Sequence, residues 1–506
     1  MKINLKNKIM LAILAGNVLC MSSAWAANIY WYGDKNNPTQ WKSYTGSEFA
    51  PIGACMSGAT LTLDENTVVD GKYVGDVRGF YGGYSRTGTV SNNSITINGG
   101  SMGDVYSGYS GTGKVINNIV SINDGKVGKV YGGYLSEFYN NLLSENVVII
   151  NGGVTGSVYG GFVYERAASA DKNVVTIFGG KVDGGVIGGS SNYSSASGNI
   201  VTINNGTITG NVIGGTTGGD NDYGYFTASS NKVLISGGSI GGVVRGGLTR
   251  SGAAADYNVV EISGGEMREV YGADAMGKRD TVSGNKVTIS GGKVTYVYGG
   301  STTAQLVKNN IVTISGGIIV RDVYGGIAIT NSGVTSGKVQ SNSVTISGGS
   351  IGGNVHGGYS NSNDNDATDN IVTIEGGSFG NISIYGGYSR GNSTGNIFNL
   401  KTRLSGLKEV AYFQKINFTL PSDVTNGDTI VSTGKFFVDT KGGRVELTVS
   451  ASDSISLKKG DIITLIDSAD TNNSDVYVDN DSVLDGTAKV YRENGESKNS
   501  DGDTND

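Results

Sequence analysis

The sequence predicts an all-β chain wound as a parallel β-solenoid of about twelve coils. Three observations lead there: one phrase recurs at a near-constant interval, each copy carries the two-residue alternation of a strand, and paired glycines break each strand. In full the phrase reads "NSVTISGGSIGGNVHGGYS" at 342–360. Its opening recurs as "NSITINGG" from Asn93, "NIVSINDG" from Asn118, "NVVIINGG" from Asn146, "NVVTIFGG" from Asn173 and "NIVTINNG" from Asn199. Further copies begin at Asn231, Asn258, Asn285, Asn310, Asn342 and Asn370, and the pattern fades at Asn396 with "NIFNL". Successive copies lie 25 to 32 residues apart, with the variation in the linking segment. Stacked units joined by loops have this signature.

Within a copy, Val344 and Ile346 flank Thr345, which is the period of a strand with one buried face. Gly348 and Gly349 follow, and consecutive glycines accept the positive φ of a corner. A second short strand comes next, seen as "GDVYSGYS", "GKVYGGYL" and "GSVYGGF" from Gly103, Gly128 and Gly156, and it is expected to end on its own Gly-Gly. A polar return segment has room for a third strand. One coil cannot bury its own valine and isoleucine. Coils stacked about 4.8 Å apart set Val on Val and Ile on Ile, and their opening asparagines are expected to form a ladder at a corner.

Composition sets other readings aside. The chain has 506 residues with 84 Gly but only 3 Pro, which excludes collagen. A formal net charge of -6 disfavours nucleic acid and anionic lipid as partners. One histidine, His356, leaves almost nothing from which to build a Ser-His-Asp triad or a cluster of imidazole ligands, and no cofactor is expected.

Residues 1–26 read as a signal peptide. Lys2, Lys6 and Lys8 precede the apolar run "IMLAILAGNVLCM", and "SSAWAA" supplies Ala24 and Ala26 for cleavage before Ala27. Cys55 is then the sole mature cysteine, so no intramolecular disulfide is expected. Residues 27–58, with Trp31 and Trp41, suit an N-terminal cap over an open sheet edge. The repeats occupy 59–400, a β segment with denser apolar alternation occupies 401–493, and the polar, acidic tail 494–506 is expected to be disordered.

The signal peptide, the "NxVTIxGG … VYGG" coils and the stretch "GLKEV..F.KINFTLP … GDTI … LKKGDIITLID" together resemble the passenger region of bacterial autotransporters, the type V secretion proteins. The resemblance covers most of the mature chain, and 404–467 is its most specific part. It implies a right-handed parallel β-helix, exported and displayed at the bacterial cell surface or outer membrane or released outside the cell. It also implies an outer-membrane translocator barrel as export partner; nothing after Asp467 has the pattern of such a barrel, which favours a truncated or fragmentary sequence over a passenger served by a separate barrel.

The function expected of such a surface is adhesion to a host-cell or extracellular protein or glycan, without catalysis. In "VYGG" the residue after Val should point outward, which aligns Tyr106, Tyr131, Tyr159, Tyr271, Tyr298, Tyr324 and Tyr385, with Ile187, Ile213, Arg245 and His356 on intervening coils. Ring stacking alone is one account of this stripe. Presentation of rings to a partner, with Tyr84, Tyr109, Tyr134, Tyr359 and Tyr388 beside them, is the other. The competing class is a carbohydrate-active lyase or hydrolase, which needs converging carboxylates; on the outward stripe between Val and Ile, Glu261 stands alone. Asp364, Asp366 and Glu375 have partial calcium-loop spacing, but Asp369 stands where such a loop needs Gly, so a solvated acidic loop is expected and no metal site.

Overall fold

The computed structural model describes residues 29–45, 57–63, 77–137, 141–165, 168–218, 226–250, 254–277, 280–303, 305–329, 337–361, 365–437, 445–451, 455–457, 461–471, 476–478, 497–498 and 504–505. Every regular element among them is a β-strand. The chain divides into two compact units, residues 1–219 with 226–242 and residues 220–225 with 243–506. The fold is the right-handed parallel β-solenoid that the repeats predict, and the units together hold about 13 turns.

One turn of the second unit shows how the repeat becomes structure. A short strand, Lys338–Gln340, leads into Ser341, whose φ of 55° is left-handed, and then into the buried Asn342. The strand Ser343–Ile346 follows with strict alternation, Val344 and Ile346 fully buried and Ser343 and Thr345 half-exposed. Gly349 takes φ 83° at the next corner, a conformation that L side chains resist. Ser350–Ile351 and Val355–Ser360 complete the turn. The second Gly-Gly is therefore not a strand end as the sequence suggested, because the strand runs through Gly357 and Gly358 to Ser360. Glycine is required there for space, since a Cβ on Gly358 would lie 2.5 Å from the side-chain amide of Asn370.

Neighbouring turns pair in parallel and in register. In the second unit Val312, Val344 and Val372 form one inward file, and Ile314, Ile346 and Ile374 another. In the first unit Val120, Val148 and Val175 do the same beside Ile122, Ile150 and Ile177. Burying these branched side chains file on file is the main apolar contribution to the fold.

The asparagine ladder forms at the corner where the sequence placed it. In the first unit it runs Asn93, Asn118, Asn146, Asn173, Asn199, Asn231; each Nδ2 up to Asn199 donates to the next Oδ1 at 2.8–3.0 Å. In the second unit the run Asn258 to Asn396 is continued by Gln414, whose Oε1 accepts from the Asn396 backbone at 2.9 Å. All these asparagines are fully buried.

The residue before each ladder asparagine is left-handed. Asn92, Asn117, Glu145, Lys172, Ser230, Tyr257, Asn309, Ser341 and Asp369 have φ between 55° and 59°, and Gly198, Gly284 and Gly395 fill the other corners. A side chain in this region is disfavoured by about 1–2 kcal/mol relative to glycine. Lys172→Gly is thus expected to stabilise the protein by about 0.5–1 kcal/mol after the greater freedom of the unfolded glycine is subtracted, read as a higher urea midpoint.

At its start the first unit carries an antiparallel hairpin, Ile29–Asp34 with Asn37–Thr45, whose first strand pairs in parallel with Val77–Ser85. Trp41 from this hairpin packs edge-on against Phe80 at 5.7 Å and lies over Ala59 and Leu61. The segment expected to be a signal peptide, 1–26, and Cys55 lie outside the described residues. Beyond 400 the solenoid register persists: Ile397–Leu400 pairs with Lys415–Leu420, and that strand with Val445–Ala451. Phe398, Phe413 and Phe418, all buried, enlarge the core there. In the tail, Ser497–Lys498 pairs antiparallel with Thr504–Asn505.

Candidate functional site

The tyrosines of the "VYGG" strands stand in files because their strands pair in register. In the first unit Tyr81, Tyr106, Tyr131 and Tyr159 stack face to face with centroids 4.9, 4.7 and 5.0 Å apart. A second file, Tyr84, Tyr109, Tyr134 and Phe162, stacks at 5.2, 5.0 and 5.4 Å. The two files meet edge to face, as in Tyr106 against Tyr109 at 5.8 Å and 81°. Ile187 and Ile213 continue the first file without a ring.

In the second unit Tyr271, Tyr298, Tyr324, His356 and Tyr385 form one file, spaced 4.3, 5.3, 4.7 and 4.8 Å. Tyr359 and Tyr388 stack beside it at 5.3 Å. The structure thus brings Tyr106, Tyr131 and Tyr159 together in one unit, and Tyr271, Tyr298, Tyr324 and Tyr385 in the other. The rings are largely covered by one another: Tyr131 is buried and the remaining six are half-buried. Their faces are taken up by stacking, so their edges and hydroxyls are what they offer to solvent.

Sequence reasoning missed the carboxylates paired with these hydroxyls. The Tyr271 hydroxyl donates to Glu269 at 2.9 Å, that of Tyr324 to Asp322 at 3.2 Å, and that of Tyr385 to Glu409 of the next turn at 2.7 Å. The signal was present in the triplets Glu269-Val270-Tyr271 and Asp322-Val323-Tyr324, because residues two apart on a strand share a face. Burial, reinforced by neighbouring phenols and these carboxylates, pushes the phenol of Tyr271 far up and that of Tyr298 up to about 12. The phenols remain protonated donors at neutral pH.

Arg245 and His356, expected on the outer stripe, are nearly buried. Arg245 lies over the Tyr271 ring at 5.2 Å and donates from Nε to Asp274 at 2.9 Å. Burial raises the Asp274 carboxyl, and the Arg245 charge opposes that shift. His356 sits between Tyr324 and Tyr385 with Nδ1 lacking a hydrogen-bond partner. Burial alone holds its imidazole down to about 3, from an ordinary value of 6.5. The folded state therefore favours neutral His356; this stability is complete above pH 6.5 and is lost as pH falls toward 3. We expect the native chain to lose about 3 kcal/mol more than His356→Phe between pH 7 and pH 4, measured by urea unfolding at both pH values. Equal losses would show that His356 titrates normally.

The stripe between Val and Ile carries Thr288, Thr313, Thr345 and Thr373 in one file, with Glu261 on the turn before them. Among the described residues no group of three or more His, Cys, Asp or Glu is arranged to hold a metal ion. Asp364 lies outside the described residues; Asp366 accepts from the Asn392 backbone at 3.1 Å, and Glu375 pairs with Lys401 at 2.8 Å. Comparison with protein-family models, curated proteins and solved structures finds no match to this chain.

Proposed function

We propose that this protein is the surface-displayed or released passenger of an autotransporter-type system and acts as an adhesin, binding a host-cell or extracellular protein or glycan through its tyrosine files. The observation that carries the reading is the recurrence of the same outward groups on successive turns, with phenols and their paired carboxylates repeating along the file of the second unit. A repeated array holds a partner by many weak contacts, and the spread of contacts raises avidity. Because the ring faces are occupied by stacking, recognition proceeds through ring edges and hydroxyl–carboxylate pairs, and not by laying a sugar flat on a tyrosine.

The test compares attachment of the mature chain to cells and to a glycan panel with that of a triple variant, Tyr271→Phe, Tyr298→Phe and Tyr324→Phe. Phenylalanine retains the stack and removes the hydroxyls. Attachment should fall more in the triple variant than in any single one. Full attachment by the triple variant, together with its loss on replacing one loop carboxylate, would defeat the distributed surface and favour a single carbohydrate-active site.

A further inference from the structure

We propose that the tyrosine file of the second unit is a site of one-electron oxidation, at which Tyr271 and Tyr298 couple into a dityrosine bridging two adjacent turns. This chemistry goes beyond adhesion and does not depend on it. Three observations select this pair. Its rings lie closer than any other ring pair among the described residues, 4.3 Å between centroids and 11° from parallel. The Tyr271 hydroxyl donates to the Glu269 carboxylate at 2.9 Å. Arg245 covers the opposite face of Tyr271, so Tyr298 is the ring available to it.

Removing an electron from a phenol is far easier when its proton leaves at the same time, because a bare radical cation is a strong acid. Glu269 is placed to take the Tyr271 proton as the electron departs. Oxidation of Tyr298 in the same way gives two phenoxyl radicals held ring on ring. Their ortho carbons join in a new carbon–carbon bond, and each ortho hydrogen is then lost from carbon while a proton returns to oxygen. In sum two phenols give one biphenol, two protons and two electrons. A peroxide accepts both, through a haem peroxidase or another one-electron relay, and leaves as water. The bridge would span residues 271 and 298 and tie together two turns already paired in register.

The experiment treats the full chain with hydrogen peroxide and a haem peroxidase, then follows dityrosine fluorescence and sequences the cross-linked tryptic peptides. The expected product is a monomer in which the peptides carrying Tyr271 and Tyr298 are joined with the loss of two hydrogen atoms. Tyr298→Phe, which retains the stack, should abolish that product. Glu269→Gln should slow its formation several-fold with unchanged circular dichroism. Cross-links confined to the more exposed Tyr164 and Tyr257, 54% and 66% accessible, or found only between separate molecules, would overturn the proposal. So would a 271–298 product formed at the same rate in Glu269→Gln, as regards the role of the carboxylate.

Discussion

Ile346→Asp is expected to destabilise the protein by about 5 kcal/mol or more, while Thr345→Asp changes stability by about 1 kcal/mol at most. The two positions are adjacent in sequence but lie on opposite sides of one strand. Ile346 is fully buried, in file with Ile314 and Ile374 of the turns on either side. A carboxylate there has no cation to pair with and must either lose its water or take up a proton. Thr345 faces outward in a file of threonines, where a carboxylate retains much of its hydration. Urea midpoints and protease resistance of the two variants measure the difference. Equal losses would reverse the assignment of inside and outside.

Asn342→Leu should lower stability by about 4 kcal/mol, although leucine is larger and more apolar. The Asn342 Oδ1 accepts from the backbone nitrogen and Nδ2 of Asn310 at 3.1 and 2.9 Å. Its Nδ2 donates to the Val307 carbonyl at 3.2 Å and to the Asn370 Oδ1 at 3.1 Å. The substitution strands two buried donors and removes a donor from two buried acceptors, with no water to replace it. The first unit supplies a control in a second row of asparagines, Asn98, Asn123 and Asn151, linked by similar bonds of 2.6 and 2.7 Å but exposed. Asn98→Leu should therefore cost less than about 1 kcal/mol. Chemical unfolding of both variants tests whether burial, rather than the bond itself, gives the inner ladder its weight.

The architecture was legible because its determinants repeat. Valine, isoleucine and asparagine return at the same place in most turns, and a solenoid gives equivalent residues equivalent surroundings. Features specified by space or by a single contact were harder to see. The left-handed corner is filled by Asn, Glu, Lys, Ser, Tyr or Asp at nine turns and by Gly at three, so no residue type announces it; only its place before the ladder asparagine does. The glycines of "VYGG" read as a corner because paired glycines usually mark one, whereas here they clear room for a buried amide inside a strand. Arg245 and Asp274 are 29 residues apart on different turns, and nothing local in either segment signals their buried pairing. The tyrosine file was legible, and the covering of its ring faces was not, because stacking distance depends on the pairing of turns. The continuation of the solenoid beyond 400 was obscured once Gln414 replaced the marker asparagine.

The asparagine ladder gives the gene a simple arithmetic. Each asparagine accepts from the turn before and donates to the turn after, so any one has the same two connections as the next. A recombination event that removes or duplicates the segment from one asparagine to the next, such as 285–309, rejoins matching ends and leaves no amide unpaired. An event of any other length puts an apolar residue or a corner where the ladder needs an amide. Unequal crossing-over between copies this similar is therefore filtered by folding into whole turns, and each unit can change its height in steps of about 4.8 Å, one rung at a time.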